Sequence, residues 1–325
     1  MNTLNFFSPL GWIIAEFDNS QLFSLHFSDY PKPQSVNNTD LKIADQITQF
    51  LNRYFKGENI SLNIDLKKSK SQFYQSVYNH LNEIQYGQTI TYSALASSCG
   101  NPNGQRAVAK AMASNEILIA IPCHRVVGLH SLGGYSGQLW RKKYLLALEN
   151  GHLLSIGLHS GRVKLSDYNP IWKYLYEIEE EAVLSSCKIN PEQIQHFGST
   201  SINGISAKPV IDIILGIDPD QLDDTIQNLS KIGYTYKANF EPKEWHFLTK
   251  GFEDNITHHL HLCHFNSFFF KSHIAFRDYL LNHPDDRADY QKLKLELQTR
   301  FADDRPSYTK AKDEFIKKIL NKCEL

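Results

Sequence analysis

The pattern of apolar and polar positions changes its period several times along the chain. Residues 11–27, GWIIAEFDNSQLFSLHF, read as two β-rich runs broken by the turn residues Asp18-Asn19-Ser20, which predicts a hairpin. The rhythm then becomes helical. Leu41, Ala44, Ile47, Phe50, Leu51 and Tyr54 recur at steps of three and four over residues 40–55, and Gly57 ends the run. ISLNIDL, 60–66, predicts another strand and completes a small α+β unit. After the lysine-rich spacer KKSKS, FYQSVYNHLNEI predicts an amphipathic helix that stops before Gly87.

Residues 91–115, TYSALASSCGNPNGQRAVAKAMASN, predict two short helices about a turn built on Gly100-Asn101-Pro102-Asn103-Gly104, a helix-turn-helix. In the second helix Val108 and Met112 fall on the core face, which leaves Arg106, Ala109, Lys110 and Ala113 outward. An outward face this small suits close approach to a nucleic-acid groove, with Arg106 and Lys110 near phosphates; an alanine-rich helix is also simply a good helix.

Periodicity is lost over HLLSIGLHSG, 152–161, and a fresh pattern opens at VKLSDYNPIWKYLYEIEEEAVL. A first domain over 1–151, divided into units 1–70 and 71–151, a linker over 152–161 and a second domain over 162–325 are therefore expected. In the second, IQHFGSTSINGISAKPVIDIILGI predicts strand, Gly/Ser-rich loop and strand. A helix over 220–231, the His-rich strand HHLHLCHF and a helical C-terminal third follow. The fold class expected is α+β in two domains.

Composition changes this picture little. With 325 residues, 42% hydrophobic and 21% charged, the chain is long enough for two cores. No apolar run approaches the ~20 residues of a membrane span, and MNTLNFFSPLGW lacks a signal-peptide pattern, so no membrane partner and a cytoplasmic location are expected. Net charge is -1, but residues 71–151 carry six Lys/Arg against Glu83, Glu116 and Glu149, a mild basic bias in the part that would meet a polyanion. The five cysteines are scattered and never spaced C-x-x-C, which indicates neither a disulfide framework nor a four-thiolate zinc site.

One of them sits in IPCHRVVG, 121–128. A thiol attacks as thiolate and needs a base or a positive field; His124 follows Cys123 directly, and Glu149 is a candidate to orient that imidazole. The stretches GQTITYSALA, GNPNGQRAVAKAMASN, IPCHRVV, GGYSG and LLALENG, in this order, resemble the O6-alkylguanine-DNA alkyltransferase family, also called methylated-DNA–protein-cysteine methyltransferases, over residues 1 to about 151. The resemblance implies a ribonuclease-like unit over 1–70 and a helix-turn-helix catalytic unit over 71–151. It implies irreversible alkyl transfer from O6-alkylguanine, and O4-alkylthymine, in double-stranded DNA to Cys123, with His124 taking the thiol proton through a water and Glu149 orienting His124. Tyr92 would protonate the departing base and Asn115 would brace the cysteine turn. Arg106 would fill the gap of a base flipped from the minor groove, beside Ala107, Lys110 and Arg125 on the DNA. Tyr135, Ser136 and the backbone of Val126 would line the pocket. No cofactor is implied for the transfer, and no metal in the first domain. A DNA-binding sensor of alkylation, with the second domain as a signalling or structural module, is the alternative.

The second domain resembles the GrpB family through GSTSINGISAKPVIDI, FRDYLLNHPDDRADYQKLK and YTKAKDEF. The family looks like a nucleotidyltransferase fold, which implies a nucleotide or other phosphate ligand. Amides around Gly198, Ser199 and Thr200 could cradle a phosphate, Lys208 could neutralise it and Asp212 could hold Mg2+. Ile214 stands where nucleotidyltransferases carry a second carboxylate, and His259, His261 and Cys263 share one strand face as softer ligands.

Overall fold

The computed structural model describes residues 1–157, 163–240 and 245–323, and it divides into two compact units, Met1–Leu154 and Ser155–Leu325. Residues 158–161 of the expected linker, residue 162 and the chain end, 324–325, lie outside the described residues.

In the first unit β1 (Asn2–Ser8), β2 (Gly11–Phe17) and β3 (Gln21–Ser28) form an antiparallel meander. Asp18 closes the expected hairpin by accepting hydrogen bonds from the Ser20 and Gln21 amides. Strand β1, which the pattern did not predict, is mostly half-buried and so lacks clean alternation. Helix α1 (Leu41–Phe55) buries Ala44, Ile47, Phe50, Leu51, Tyr54 and Phe55, the face its spacing predicts.

ISLNIDL does not form the expected full strand; only β4 (Asp65–Leu66) pairs, beside Gln21 and Leu22 of β3. The reason lies on β3 itself. In this parallel register residues 60–64 fall opposite residues 16–20, the end of β2 and the Asp18-Asn19-Ser20 turn, where β3 has not begun; beyond Leu22 the edge is taken, since Leu25 exchanges backbone hydrogen bonds with Glu116 and Leu118. That same pairing anchors the segment leading to Cys123 against the sheet.

Helix α2 (Gln72–Asn82) is N-capped by Ser71. Strand β5 (Ile90–Thr91) pairs in parallel with β6 (Val126–Val127). Between them α3 (Tyr92–Ser98), capped by Thr91, and α4 (Gln105–Ala113) form the helix-turn-helix. Helix α4 buries Val108, Ala111 and Met112 and exposes Arg106, Ala109, Lys110 and Ala113. Helix α5 (Leu139–Glu149) is buried along most of its length and ends in the acid expected to face His124.

The second unit is built on a five-stranded sheet. Helix α6 (Ile171–Ser186) precedes β7 (Ile194–Phe197) and β8 (Ile211–Ile217); α7 (Leu222–Lys231) leads to β9 (Thr235–Phe240), β10 (Trp245–Phe252) and β11 (Asn255–His264). The strand order is β7-β8-β11-β10-β9, with only β8 and β11 parallel. Strand β8 is buried at every position except Asp212, which that register sets opposite His259. Helices α8 (Phe268–Asn282), α9 (Pro284–Arg300), α10 (Arg305–Lys310) and α11 (Asp313–Leu320) complete the helical C-terminal third. Leu280, Tyr290 and Ile319 pack there with Ile202 and Ile205 from the Gly/Ser-rich loop. No helix among the described residues is long and apolar enough to cross a membrane.

Candidate functional site

The segment before Cys123 is strained. Ile119, buried and β-branched, holds φ at +69°, a conformation that costs such a residue about 1–3 kcal/mol. Asn115 bridges the strain. Its Oδ1 accepts from the Ile117 amide at 3.0 Å, while its Nδ2 donates to the Ile121 carbonyl at 3.0 Å and to Cys123 Sγ at 3.0 Å. One side chain thus fixes both ends of the turn and the thiol, which a simple helix cap would not do.

Cys123 is 3% exposed, and burial pushes its thiol up to about 11, opposed by the Asn115 hydrogen bond and the charge of Lys142. A protonated thiol at neutral pH needs a base. His124 is fully buried, and burial holds it below the ordinary histidine range in spite of Glu149, so it is neutral. Its Nε2 lies 2.8 Å from Glu149 Oε1, while Nδ1 is buried without a hydrogen-bond partner among the described residues. A neutral imidazole that donates from Nε2 to the carboxylate presents its lone pair at Nδ1.

Glu149 collects donors from three segments. Oε1 accepts from His124, from Tyr54 Oη at 2.8 Å and from Arg125 Nη2 at 3.0 Å; Oε2 accepts from Arg125 Nε at 2.9 Å and from the Gly87 amide at 3.1 Å. Burial alone would raise this carboxyl, but the hydrogen bonds from His124 and Arg125 and the charge of Arg125 lower it to about 2. Arg125 also donates to the Ile84 carbonyl at 2.6 Å. This corrects the expectation that Arg125 faces DNA: its guanidinium is spent on a buried carboxylate, where it offsets the cost of burying that charge.

Two members of this network were not predicted. Tyr54 occupies an apolar position of α1 and reads as core, yet its hydroxyl reaches Glu149 and approaches His124 Nε2 at 3.4 Å. Lys142, fully buried in the run LWRKKYLL, donates to the carbonyls of Val126 (2.6 Å), Leu132 and Gly134 (3.2 Å). A lysine inside an otherwise apolar helix face was the available signal. It pins the loop that carries Tyr135 and Ser136.

Tyr135 lies edge-on to His124 at 6.5 Å, with a buried hydroxyl that has no hydrogen-bond partner among the described residues. Tyr92 is half-buried with its hydroxyl raised by burial and then by Cys123; a Cβ at Gly133 would sit 2.7 Å from its ring, so glycine is required there. Ser136 is exposed and joins Asn115 in lining a cavity of about 570 Å³. Val126 keeps its backbone inside the fold, its carbonyl on Lys142 and its amide on the Cys123 carbonyl, rather than offering an unpaired group to a pocket. Arg106 and Lys110 are exposed and Ala107 is half-buried.

In the second unit a cavity of about 420 Å³ brings together Gly198, Ser199, Lys208, Asp212, His259 and His261. Asp212 Oδ1 and His259 Nδ1 are 3.0 Å apart, and against the push of burial this histidine and its neighbours lower the carboxyl. A Cβ at Gly198 would meet Asp212 Oδ2 at 2.7 Å, so glycine here makes room for the acid. Thr200, expected in the phosphate loop, is buried instead; its hydroxyl donates to the Val210 carbonyl at 3.2 Å and lies 3.0 Å from His196. Trp245 donates from Nε1 to His261 Nδ1 at 3.0 Å and stacks on its ring.

The donor set does not fit Mg2+. Ile214 is fully buried, Asp212 is bound to His259, Nδ1 of His261 is taken by Trp245, and no group of three or more His, Cys, Asp or Glu side chains that could hold a metal ion is present among the described residues. Cys263 faces Phe197, Ile214 and Phe270, away from a ligand role, with its thiol raised to about 12 by burial.

Two families match the chain: 6-O-methylguanine DNA methyltransferase, DNA binding domain, over residues 72–151, and GrpB protein over 162–322. The methylated-DNA–protein-cysteine methyltransferase of Methanosarcina acetivorans is 37% identical over 148 residues, covering 44% of this chain and 95% of that protein. The glutamate-rich protein GrpB of Alkalihalophilus pseudofirmus is 33% identical over 171 residues, 51% of this chain and 98% of that protein. Among solved structures, the Mycobacterium tuberculosis OGT in complex with DNA is similar at 31% identity, covering 46% of this chain and 94% of that one, with a TM-score of 0.41.

Proposed function

From a chain that belongs to the methylated-DNA–protein-cysteine methyltransferases in its first half and to the GrpB proteins in its second, we propose that it repairs O6-alkylguanine in double-stranded DNA by one irreversible transfer to Cys123. The observation that carries this reading is the pairing of a buried thiol on Asn115 with a neutral histidine whose one idle nitrogen, Nδ1, is the basic one. His124 Nδ1 takes the Cys123 proton through a water, and Glu149, kept ionised by Arg125 and Tyr54, stabilises the imidazolium that forms. The thiolate forms an S–C bond to the alkyl carbon as the C–O6 bond breaks. The electron pair leaves on the base, and Tyr92 protonates it. A thioether is a poor leaving group, so the chain turns over once.

Inside a stacked duplex the alkylated oxygen is out of reach of a buried thiol, so the base is flipped out, with Arg106 filling its place in the stack. The exposed, small-sided face of α4 supports that docking. O4-alkylthymine offers the same alkyl–oxygen bond and is a second substrate of this reading. A thiol acceptor suits a reducing compartment such as the cytoplasm. For the second unit we propose a phosphate-bearing ligand in the cavity of Gly198, Ser199, Lys208 and Asp212, bound without a structural role for Mg2+.

The test is stoichiometric. With excess duplex carrying O6-methylguanine, repaired bases should level off at one per chain. Continued turnover, or damage-specific binding with no repaired base, would overturn the reading, the latter in favour of the sensor.

A further inference from the structure

The segment YTKAKDEF takes no part in the first unit's chemistry, yet it forms one wall of the second unit's cavity. Tyr308 there is buried, and two ammonium groups lie against its ring: Lys208 Nζ at 4.6 Å from the centroid and Lys312 Nζ at 4.8 Å. Arg305, on the first turn of α10, lines the same cavity. Three half-buried cations therefore converge. No ion pair to any of them is present among the described residues, and the acid that faces the cavity with them, Asp212, has one oxygen committed to His259.

Like charges gathered in a partly dry cavity repel and lose hydration, so the arrangement is costly while the cavity holds only solvent. The cost is visible at Lys208, which burial and then Arg305 and Lys312 pull down to about 7. The first unit treats its cations differently. Arg125 closes on Glu149 and Lys142 on three carbonyls. A cavity that leaves its cations unpaired is arranged for an anion that arrives from outside.

We propose that Lys208, Arg305 and Lys312 form an oxyanion site for a small phosphate ester or pyrophosphate, held around Tyr308 without any divalent cation. The inference rests on the reading of the second unit as a phosphate binder and gives its charge recognition to the C-terminal helices. Phe247, beside His259 and His261 at ring separations of 5.1 and 5.2 Å, and Trp245 supply an aromatic wall for the uncharged part of the ligand. Asp212 stands at the cavity as a counter-charge that disfavours anions more extended than the cationic wall can match.

The probes are pyrophosphate and AMP, titrated calorimetrically into the full chain with EDTA present. Binding is expected in EDTA, and it should weaken on raising the salt concentration. Arg305→Gln and Lys312→Gln, both at half-exposed positions, should each weaken it about tenfold or more, with Lys312→Arg retaining most of it. AMP bound at least as tightly as pyrophosphate, in spite of its smaller charge, would assign a role to the aromatic wall. Binding that appears only with Mg2+, and survives Arg305→Gln and Lys312→Gln but not Asp212→Asn, would overturn the cationic site and leave the phosphate reading standing. No binding of either probe, with or without Mg2+, by a chain that still unfolds cooperatively would overturn both.

Discussion

Each unit pairs a histidine with a carboxylate at hydrogen-bond distance, His124 with Glu149 at 2.8 Å and His259 with Asp212 at 3.0 Å, but the surroundings make them different devices. Glu149 is buried among five donated hydrogen bonds, every nearby cation is consumed, and a thiol stands beside the pair. Asp212 is half-buried in the wall of a cavity whose lining has no cysteine and whose cations have no ion pair among the described residues. A closed, charge-balanced pair serves proton transfer, whereas an open pair beside surplus charge serves binding.

The largest effect should come from Cys123→Ser, which is expected to abolish transfer while duplex binding persists, as seen by gel shift. Glu149→Gln should follow, slowing transfer by about a hundredfold to a thousandfold, because His124 then loses the charge that stabilises its protonated form. Single-turnover kinetics would reveal it. An equal loss on Asp212→Asn would erase the contrast between the pairs; that variant is expected to leave transfer within about twofold.

Arg106→Ala should slow repair of duplex about tenfold or more and leave reaction with free O6-benzylguanine nearly unchanged, since only the duplex must be opened and refilled. Equal losses on both substrates would mean that Arg106 supports the fold.

Acid should separate the units. His196 and His261, at about 3, and His258, at about 4, are held neutral by burial in the second unit, while His124 is the matching buried group beside Glu149 in the first. A histidine whose folded pKa is depressed gives stability that is complete above its unfolded value near 6.5 and is lost as pH falls toward the folded value, about 1.4 kcal/mol per unit of pH for each group. Between pH 6.5 and 4.5, amide protection should therefore fall faster in β8 and β11 than in α5. Below about 4.5 the order tightens, because Glu149, at about 2, begins to lose its own contribution. Smallest of all, Tyr54→Phe removes one of the Glu149 donors and should slow transfer only a few-fold.

Much of this was legible in the sequence, and the reasons differ by residue. Two domains of mixed strand and helix followed from changes of period, and the resemblance to both families is upheld by the family matches. Cys123, His124 and Asn115 are close in sequence, so their meeting needed only one turn. Glu149 had to be supplied by a distant helix, and the resemblance pointed to it. Tyr54 was hidden because a tyrosine at an apolar helical position looks like core until its hydroxyl finds a partner. Arg125 was misread because a basic segment shows the sign of a charge and not what consumes it. ISLNIDL has strand composition, but in its parallel register residues 60–64 fall opposite the residues before Gln21, where β3 has not begun. Arg305 and Lys312 lie about a hundred residues from Lys208, a convergence that only the packing of the C-terminal helices reveals.

The central claim, that this molecule keeps its covalent chemistry in one closed pair and at one thiol, is tested most directly by peptide-mapped mass spectrometry of the full chain after incubation with O6-methylguanine duplex. The account predicts one methyl group per chain, on the peptide containing Cys123. Methylation of Cys99, Cys187, Cys263 or Cys323 in its place, or an unmodified chain beside repaired DNA, would contradict it.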